Sequence, residues 1–333
     1  PHDKNASESA PRLIDDGFVA LPTGDGVPCA ISPAPNRQYD SSIFHFQLSS
    51  PITPPTPYSY DMSLILPEVS KSPASSLSSA SNTILDATCP RGPPSEPPPS
   101  SDLVCKRTYA TARDGVQVPL TTVHRKSIAL TPETPMHLLV YGAYGACLPA
   151  EWRSDHLPLL EAGWMVVLAH VRGGGELGPE WHRAGSGLNK RTSANDLHDV
   201  IRSLHSDGVS SPQYTTAMAD SAGALALGGL MNDSPSILSG IVMRGPFLDP
   251  LNSMLDPSLP LTIEEYEEWG DPSTCSKTRE AMAGYSPYDG LKSGERYPNV
   301  LLIAAEHDAR VPLTQTLRYA ERLRELSEEQ EVV

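Results

Sequence analysis

The chain has 333 residues, room for one large domain and part of another, because single cores stop growing at roughly 250 to 300 residues. Its 40 acidic side chains outnumber 25 basic ones, giving a formal net charge of −15, which repels phosphate backbones and anionic lipid and excludes nucleic acid as an electrostatic partner. Five scattered cysteines with no CxxC pair suggest neither a disulfide framework nor a metal site, so a reducing cytosol is expected; no membrane span and no secretory leader are visible.

In chain order, IFHFQLSS from Ile43 alternates apolar and polar residues and leads into PITPPTPYSYDM. This predicts one or two strands around a proline-rich turn, too few for a sheet that stands alone. From Pro67 to Asp102 the sequence is PEVSKSPASSLSSASNTILDATCPRGPPSEPPPSSD. Such Pro/Ser density buries too little apolar surface to offset chain entropy and reads as a disordered linker. A folded domain is expected to begin at about Arg107, where Asp114-Gly115 sits between two alternating segments as a hairpin turn.

Five short apolar runs come next: His137 to Gly142, Trp164 to Val171, Thr215 to Ala219, Ile237 to Met243 and Asn299 to Ala305. They read as strands buried on both faces. Between them lie amphipathic stretches. NDLHDVIRSLH places Leu197, Val200, Ile201 and Leu204 on one side, with Ser193 or Asn195 as the cap; LTQTLRYAERLREL does the same with Leu313, Leu317, Ala320 and Leu323. Alternation of this kind predicts a mostly parallel sheet with helices on both faces.

Ligands of such sheets bind at the carboxyl ends of the strands. Ser221 falls there, in MADSAGALALG, where the TTAMA strand gives way to a small-residue helix. A nucleophile elbow needs small residues two before and two after the serine, and Ala219 and Gly223 meet that need. An ordinary helix start would show the same small-x-Ser-x-Gly pattern. The backbone N–H of Ala222 is available to an oxyanion. Serine also requires a base oriented by an acid. In this fold the chain order is Ser, acid, His, and Asp308 after the last apolar run supplies the acid, unless it merely caps the next helix. All ten histidines precede Asp308. His307 is its sequence neighbour and is read as a surface residue rather than the base.

At these residues the chain resembles the prolyl oligopeptidase family of serine hydrolases, nearest its oligopeptidase B and prolyl endopeptidase-like branches. The blocks TARDGVQVPL, VYGAYG, HVRGGGELGPEWH, DSAG, PFLDPLNSMLDPSLPLTIEEYEEWGDP, YSPYD and HDARVPL carry the resemblance in order. It implies an α/β-hydrolase fold preceded by a remnant of a β-propeller. The implied divisions are residues 1–66 for the last propeller blade, 67–102 for the linker and 103–333 for a catalytic domain lacking its C-terminal part.

By resemblance Ser221 is the nucleophile, Asp308 the acid, and the Tyr141 hydroxyl joins the Ala222 amide in the oxyanion hole. Arg310 is similar to an arginine that holds a substrate carbonyl; a surface salt bridge would use it equally well. Glu265 and Glu267 match glutamates that receive a basic side chain, and a solvated acidic helix face would carry the same run. The family histidine lies roughly thirty to forty residues after the acid, beyond Val333. The resemblance implies attack on a short peptide, an ester or a thioester, with no cofactor and no metal. The rival it implies is a catalytically silent member that binds partners, among them adaptors of vesicle sorting.

Overall fold

The computed structural model describes residues 26–61 and 102–327. The Pro/Ser-rich stretch expected to be a linker therefore lies outside the described residues, apart from Asp102.

The first part is a three-stranded antiparallel sheet in the order β1 (Ala30–Pro33), β2 (Ile43–Ser50), β3 (Thr53–Asp61). β2 is the strand that alternation predicts, and β3 pairs with it antiparallel, but Pro54, Pro55 and Pro57, expected in a proline-rich turn, lie inside β3. β1 is a strand the sequence does not announce, because AISP is short, ends in proline and shows no period. The sheet is tied to the larger part of the molecule: the Trp152 N–H donates to Ser49 Oγ at 2.8 Å, and Val27 and Ile52 pack on a cluster formed by Leu103, Val123, Leu160 and Leu168.

The second part is built on a seven-stranded sheet. Its strands are β4 (Leu103–Thr111), β5 (Gln117–Arg125), β6 (Met136–Val140), β7 (Met165–Ala169), β8 (Thr215–Asp220), β9 (Gly240–Arg244) and β10 (Asn299–Ile303). Their order across the sheet is β10-β9-β8-β6-β7-β5-β4. β4 and β5 form the expected hairpin, with Gly115 at φ +86° in its turn, a conformation glycine adopts without a steric cost. From β7 to β10 every neighbouring pair is parallel.

The helices in chain order are α1 (Leu157–Glu161), α2 (Pro179–Arg183), α3 (Arg191–Ser206), α4 (Ala224–Asp233), α5 (Pro250–Leu255), α6 (Tyr266–Trp269), α7 (Ser276–Tyr285) and α8 (Leu313–Leu326). α3, α4 and α8 cover one face of the sheet: Leu197, Val200, Ile201, Leu227, Leu230 and Tyr319 share a core with Leu138, Val167, Ala217, Ile241 and Val300. On the other face α1 packs against β5 and β7.

Several expectations need correction. β6 and β7 are buried on both faces, but β8, β9 and β10 alternate, and Leu301 and Ile303 of β10 are 39% and 46% exposed. Among the described residues nothing covers the second face there as α1 does further along the sheet. β9 starts at Gly240 rather than Ile237, because Pro235–Ile237 forms a 3₁₀ turn. In α8 the buried positions are Gln315, Thr316, Tyr319 and Leu323, while Leu317 is 56% exposed. The Gln315 side chain is drawn inward by polar partners, the Leu248 N–H and Ser253 Oγ, which rotates the helix away from its purely apolar stripe. α3 begins at Arg191, so Ser193 lies inside the helix. It is fully buried there and donates to the Arg172 carbonyl at 2.6 Å instead of capping.

Candidate active site

β8 ends at Asp220, and a 3₁₀ turn, Ser221–Gly223, leads directly into α4. Ser221 has φ +49°. L-residues avoid this region because the Cβ crowds the backbone, and it persists only where surrounding structure enforces it. The enforcement is visible. A Cβ on Gly223 would lie 2.9 Å from the Val140 carbonyl oxygen and 3.0 Å from Tyr141 Cα, so α4 can cross the end of β6 only with glycine here. Ala219, paired with Val140 across the sheet, is small enough to be buried at the same crossing. The Ser221 carbonyl accepts the Phe247 N–H at 3.1 Å.

Immediately before the turn, Arg244 at the end of β9 donates to both oxygens of Asp220, at 2.6 and 2.7 Å. The strand register, Asp220 opposite Arg244, creates this pair. Sequence alone gives no sign of it.

Ser221 opens onto a cavity of about 290 Å³ that Tyr141, Tyr144, Glu265 and Arg310 also line, with Phe247, Met254, Leu261 and Val311 among its apolar walls. Tyr141 follows β6 directly. Burial raises the pKa of its phenol, opposed by the positive charge of Arg310, so the hydroxyl stays a donor. The Ala222 N–H is in the first turn of the 3₁₀–α4 unit, where no intrahelical acceptor precedes it.

Asp308 sits on the loop after β10. Its Oδ1 accepts the N–H groups of Arg310 at 2.8 Å and Val311 at 3.0 Å. These bonds, Val311 first and then Arg310, lower its pKa and keep it ionised. The other oxygen faces the β9–α5 loop: a Cβ on Gly245 would be 3.6 Å from Oδ2. Gly245 has φ +50°, and its N–H donates to the Ile303 carbonyl at 2.7 Å. The segment from Gly245 to Phe247 thus passes near the Asp308 carboxylate at one end and bonds to the Ser221 backbone at the other.

Among the described residues lining the cavity there is no histidine. His307 is exposed, and His182 is engaged with Glu268 at 2.6 Å.

The two glutamates singled out from the sequence part company. Glu265 lines the cavity, its Oε1 accepting the Tyr144 hydroxyl at 2.9 Å and its Oε2 the Trp269 indole N–H at 2.8 Å. Glu267 is exposed and is not among the lining residues. Helical spacing explains the difference: Glu268 and Trp269, three and four residues after Glu265, share its side, while a residue two positions on does not. Glu268, which no sequence pattern singles out, is 6% exposed and accepts the Tyr144 N–H at 2.9 Å. Tyr144 also has a positive φ, +57°. Its position in VYGAYG, between the two glycines Gly142 and Gly145 that also have positive φ, was the available signal.

The strand order and the strained strand-to-helix turn define an α/β hydrolase. Residues 152–333 match the model of the prolyl oligopeptidase family, and the chain belongs to that family. It is 36% identical over 306 residues to a prolyl endopeptidase-like protein of Gallus gallus, covering 92% of this chain and 38% of that protein. To the prolyl endopeptidase-like protein of Homo sapiens it is 37% identical over 280 residues, covering 84% of this chain and 35% of that protein. The chain therefore spans well under half the length of these relatives. Among solved structures, oligopeptidase B of Leishmania major superposes with a TM-score of 0.81 at 27% identity, over 95% of this chain and 41% of that one. Oligopeptidase B of Trypanosoma brucei with covalently bound antipain superposes with a TM-score of 0.78 at 32% identity, over 93% and 41%. The family is one of serine peptidases. The small three-stranded sheet is consistent with a propeller remnant. Among the described residues no helix is long and apolar enough to cross a membrane.

Proposed function

We propose that the chain carries the hydrolase part of a serine peptidase acting on short peptides, with Ser221 as nucleophile and Asp308 as the acid that orients a histidine base. The observation that carries this reading is the strained Ser221 opening onto one cavity together with Tyr141 and Arg310. The Tyr141 hydroxyl and the Ala222 amide are the proposed oxyanion donors, and Arg310 the residue that holds a substrate carbonyl. Glu265, pinned from two sides, is the proposed receptor for a basic substrate side chain, with Glu267 reduced to a distant contribution to the field. Residues 1–66, 67–102 and 103–333 are the proposed propeller remnant, linker and catalytic domain.

The step is acyl transfer. Ser221 Oγ bonds to the substrate carbonyl carbon, its proton passes to the base and then to the departing amine, and water releases the acyl group by the same route. An ester or thioester differs only in the leaving group, so pocket shape rather than the nucleophile decides among them.

The test is a fluorophosphonate probe, applied to this chain and to the longest polypeptide read from its coding sequence. Labelling that maps to Ser221 and disappears in Ser221→Ala supports the proposal. Absence of labelling in both forms overturns it in favour of a partner-binding, catalytically silent role. Peptide, ester and thioester substrates compared on the labelled form assign the leaving group.

A further inference from the structure

Lys190, the residue before α3, is 2% exposed, yet no carboxylate lies within ion-pair distance of its ammonium among the described residues. Nζ donates instead to the Gly142 carbonyl and to Ser193 Oγ at 3.3 Å, and it lies 5.3 Å from the centroid of the Trp269 ring. Burying an ammonium without a paired carboxylate costs far more than burying a methionine of similar shape. Packing alone does not account for the charge.

The charge holds the loop after β6. Gly142 has φ +66°, and a Cβ on it would come within 2.5 Å of Val171 Cγ2, so the loop is pressed against the end of β7 and needs its carbonyl fixed from the other side. Tyr141 precedes that carbonyl directly. Tyr144, two residues later, packs its ring edge-on against Trp269, centroids 5.2 Å apart. The same Trp269 donates its indole N–H to Glu265. Lys190 and the cavity residues Tyr144 and Glu265 thus all meet at one indole.

We propose that Lys190 is a positioning residue, whose ammonium clamps the Tyr141–Tyr144 loop and so sets the donor side of the cavity. The proposal rests on the reading of Tyr141 as an oxyanion donor, but its test does not require turnover. Around the ammonium, α6 contributes Glu268, itself held by His182 of α2, and α7 contributes Tyr285; Arg191 on α3 is occupied by Asp233 and the Gly284 carbonyl. Burial, opposed by the Glu268 charge, brings the Lys190 pKa down to about 8, so the clamp weakens to a neutral donor within a measurable pH range.

The experiment is amide exchange of the loop, whose Gly145 and Ala146 N–H groups are bonded to the Gly173 and Ala143 carbonyls. Lys190→Met should speed exchange in this loop by roughly tenfold, the worth of a charge-assisted bond, while amides of β8 keep the wild-type rate. In the wild type, loop protection corrected for intrinsic chemistry should fall as pH passes about 8 and should be flat in Lys190→Met. Unchanged loop protection, or acceleration spread evenly over the molecule, overturns the clamp. If Lys190→Met does not fold, the wild-type pH profile decides by itself, a flat profile overturning the proposal. Should Ser221 fail to label while the loop behaves as described, only the catalytic reading falls; should Ser221 label while the loop is indifferent to Lys190, only the clamp falls.

Discussion

Arg244 holds both carboxylate oxygens of Asp220 across the β8–β9 ladder, one residue before the strained Ser221. Both side chains are more than 40% exposed, so water competes for every bond in the pair. Arg244→Ala should therefore cost less than about 1 kcal/mol of stability in a urea titration. A loss several times larger would mean that the pair anchors the turn rather than decorating it.

The turn itself stores strain. Glycine at position 221 accepts φ +49° freely, whereas alanine does not. Ser221→Gly should be more stable than Ser221→Ala by about 1 kcal/mol, with both lacking the hydroxyl. Paired urea denaturation curves test this, and equal midpoints would show that the turn relaxes once the serine is gone.

A second ion pair behaves in the opposite way from the first. Arg172 and Asp196 are 8% and 0% exposed, and their side chains meet at 2.5 and 2.9 Å while Asp196 also accepts the Arg172 N–H at 3.0 Å. Asp196→Ala leaves a guanidinium buried with only Asp114 as a partner, at an expected cost of about 3 kcal/mol. Replacing both members with apolar residues of matched volume should cost less than the single change. Calorimetric melting of the single and double variants reads the difference.

Acid should weaken the packing of the β4–β5 turn on α3. Burial pushes the Asp199 carboxyl up, but hydrogen bonds from Arg113 and His198 outweigh it and bring the pKa from 3.8 to about 2. A folded value below the unfolded one means the unfolded chain takes up the proton first, so this stabilisation is present above about pH 4 and is lost as pH falls toward 2. With Arg113 half exposed, the contribution is on the order of 1 kcal/mol. Stability measured between pH 5 and 3 should fall less steeply in Asp199→Asn than in the wild type.

How far the sequence reached depends on whether a signal was local. The β4–β5 hairpin, the strands β6 to β8 and the apolar face of α3 follow from turn chemistry and periodicity, both written in neighbouring residues. The elbow at Ser221 was legible because its small flanking residues are a local requirement. The buried pattern of α8 was not, since Gln315 turns inward for partners on the β9–α5 segment that no sequence window contains. Glu268 and Lys190 were missed for a related reason: each looks like a surface charge until the loop after β6 folds over it. The choice between Glu265 and Glu267 turned on the phase of a four-residue helix, too short to show a period.

The Ser49–Trp152 bond and the half-buried Val27 and Ile52 on the Leu103 cluster seat the three-stranded sheet against the hydrolase. So small a contact cannot hold two separate polypeptides together; covalent tethering, which keeps the effective concentration of the two parts high, is what makes it persist.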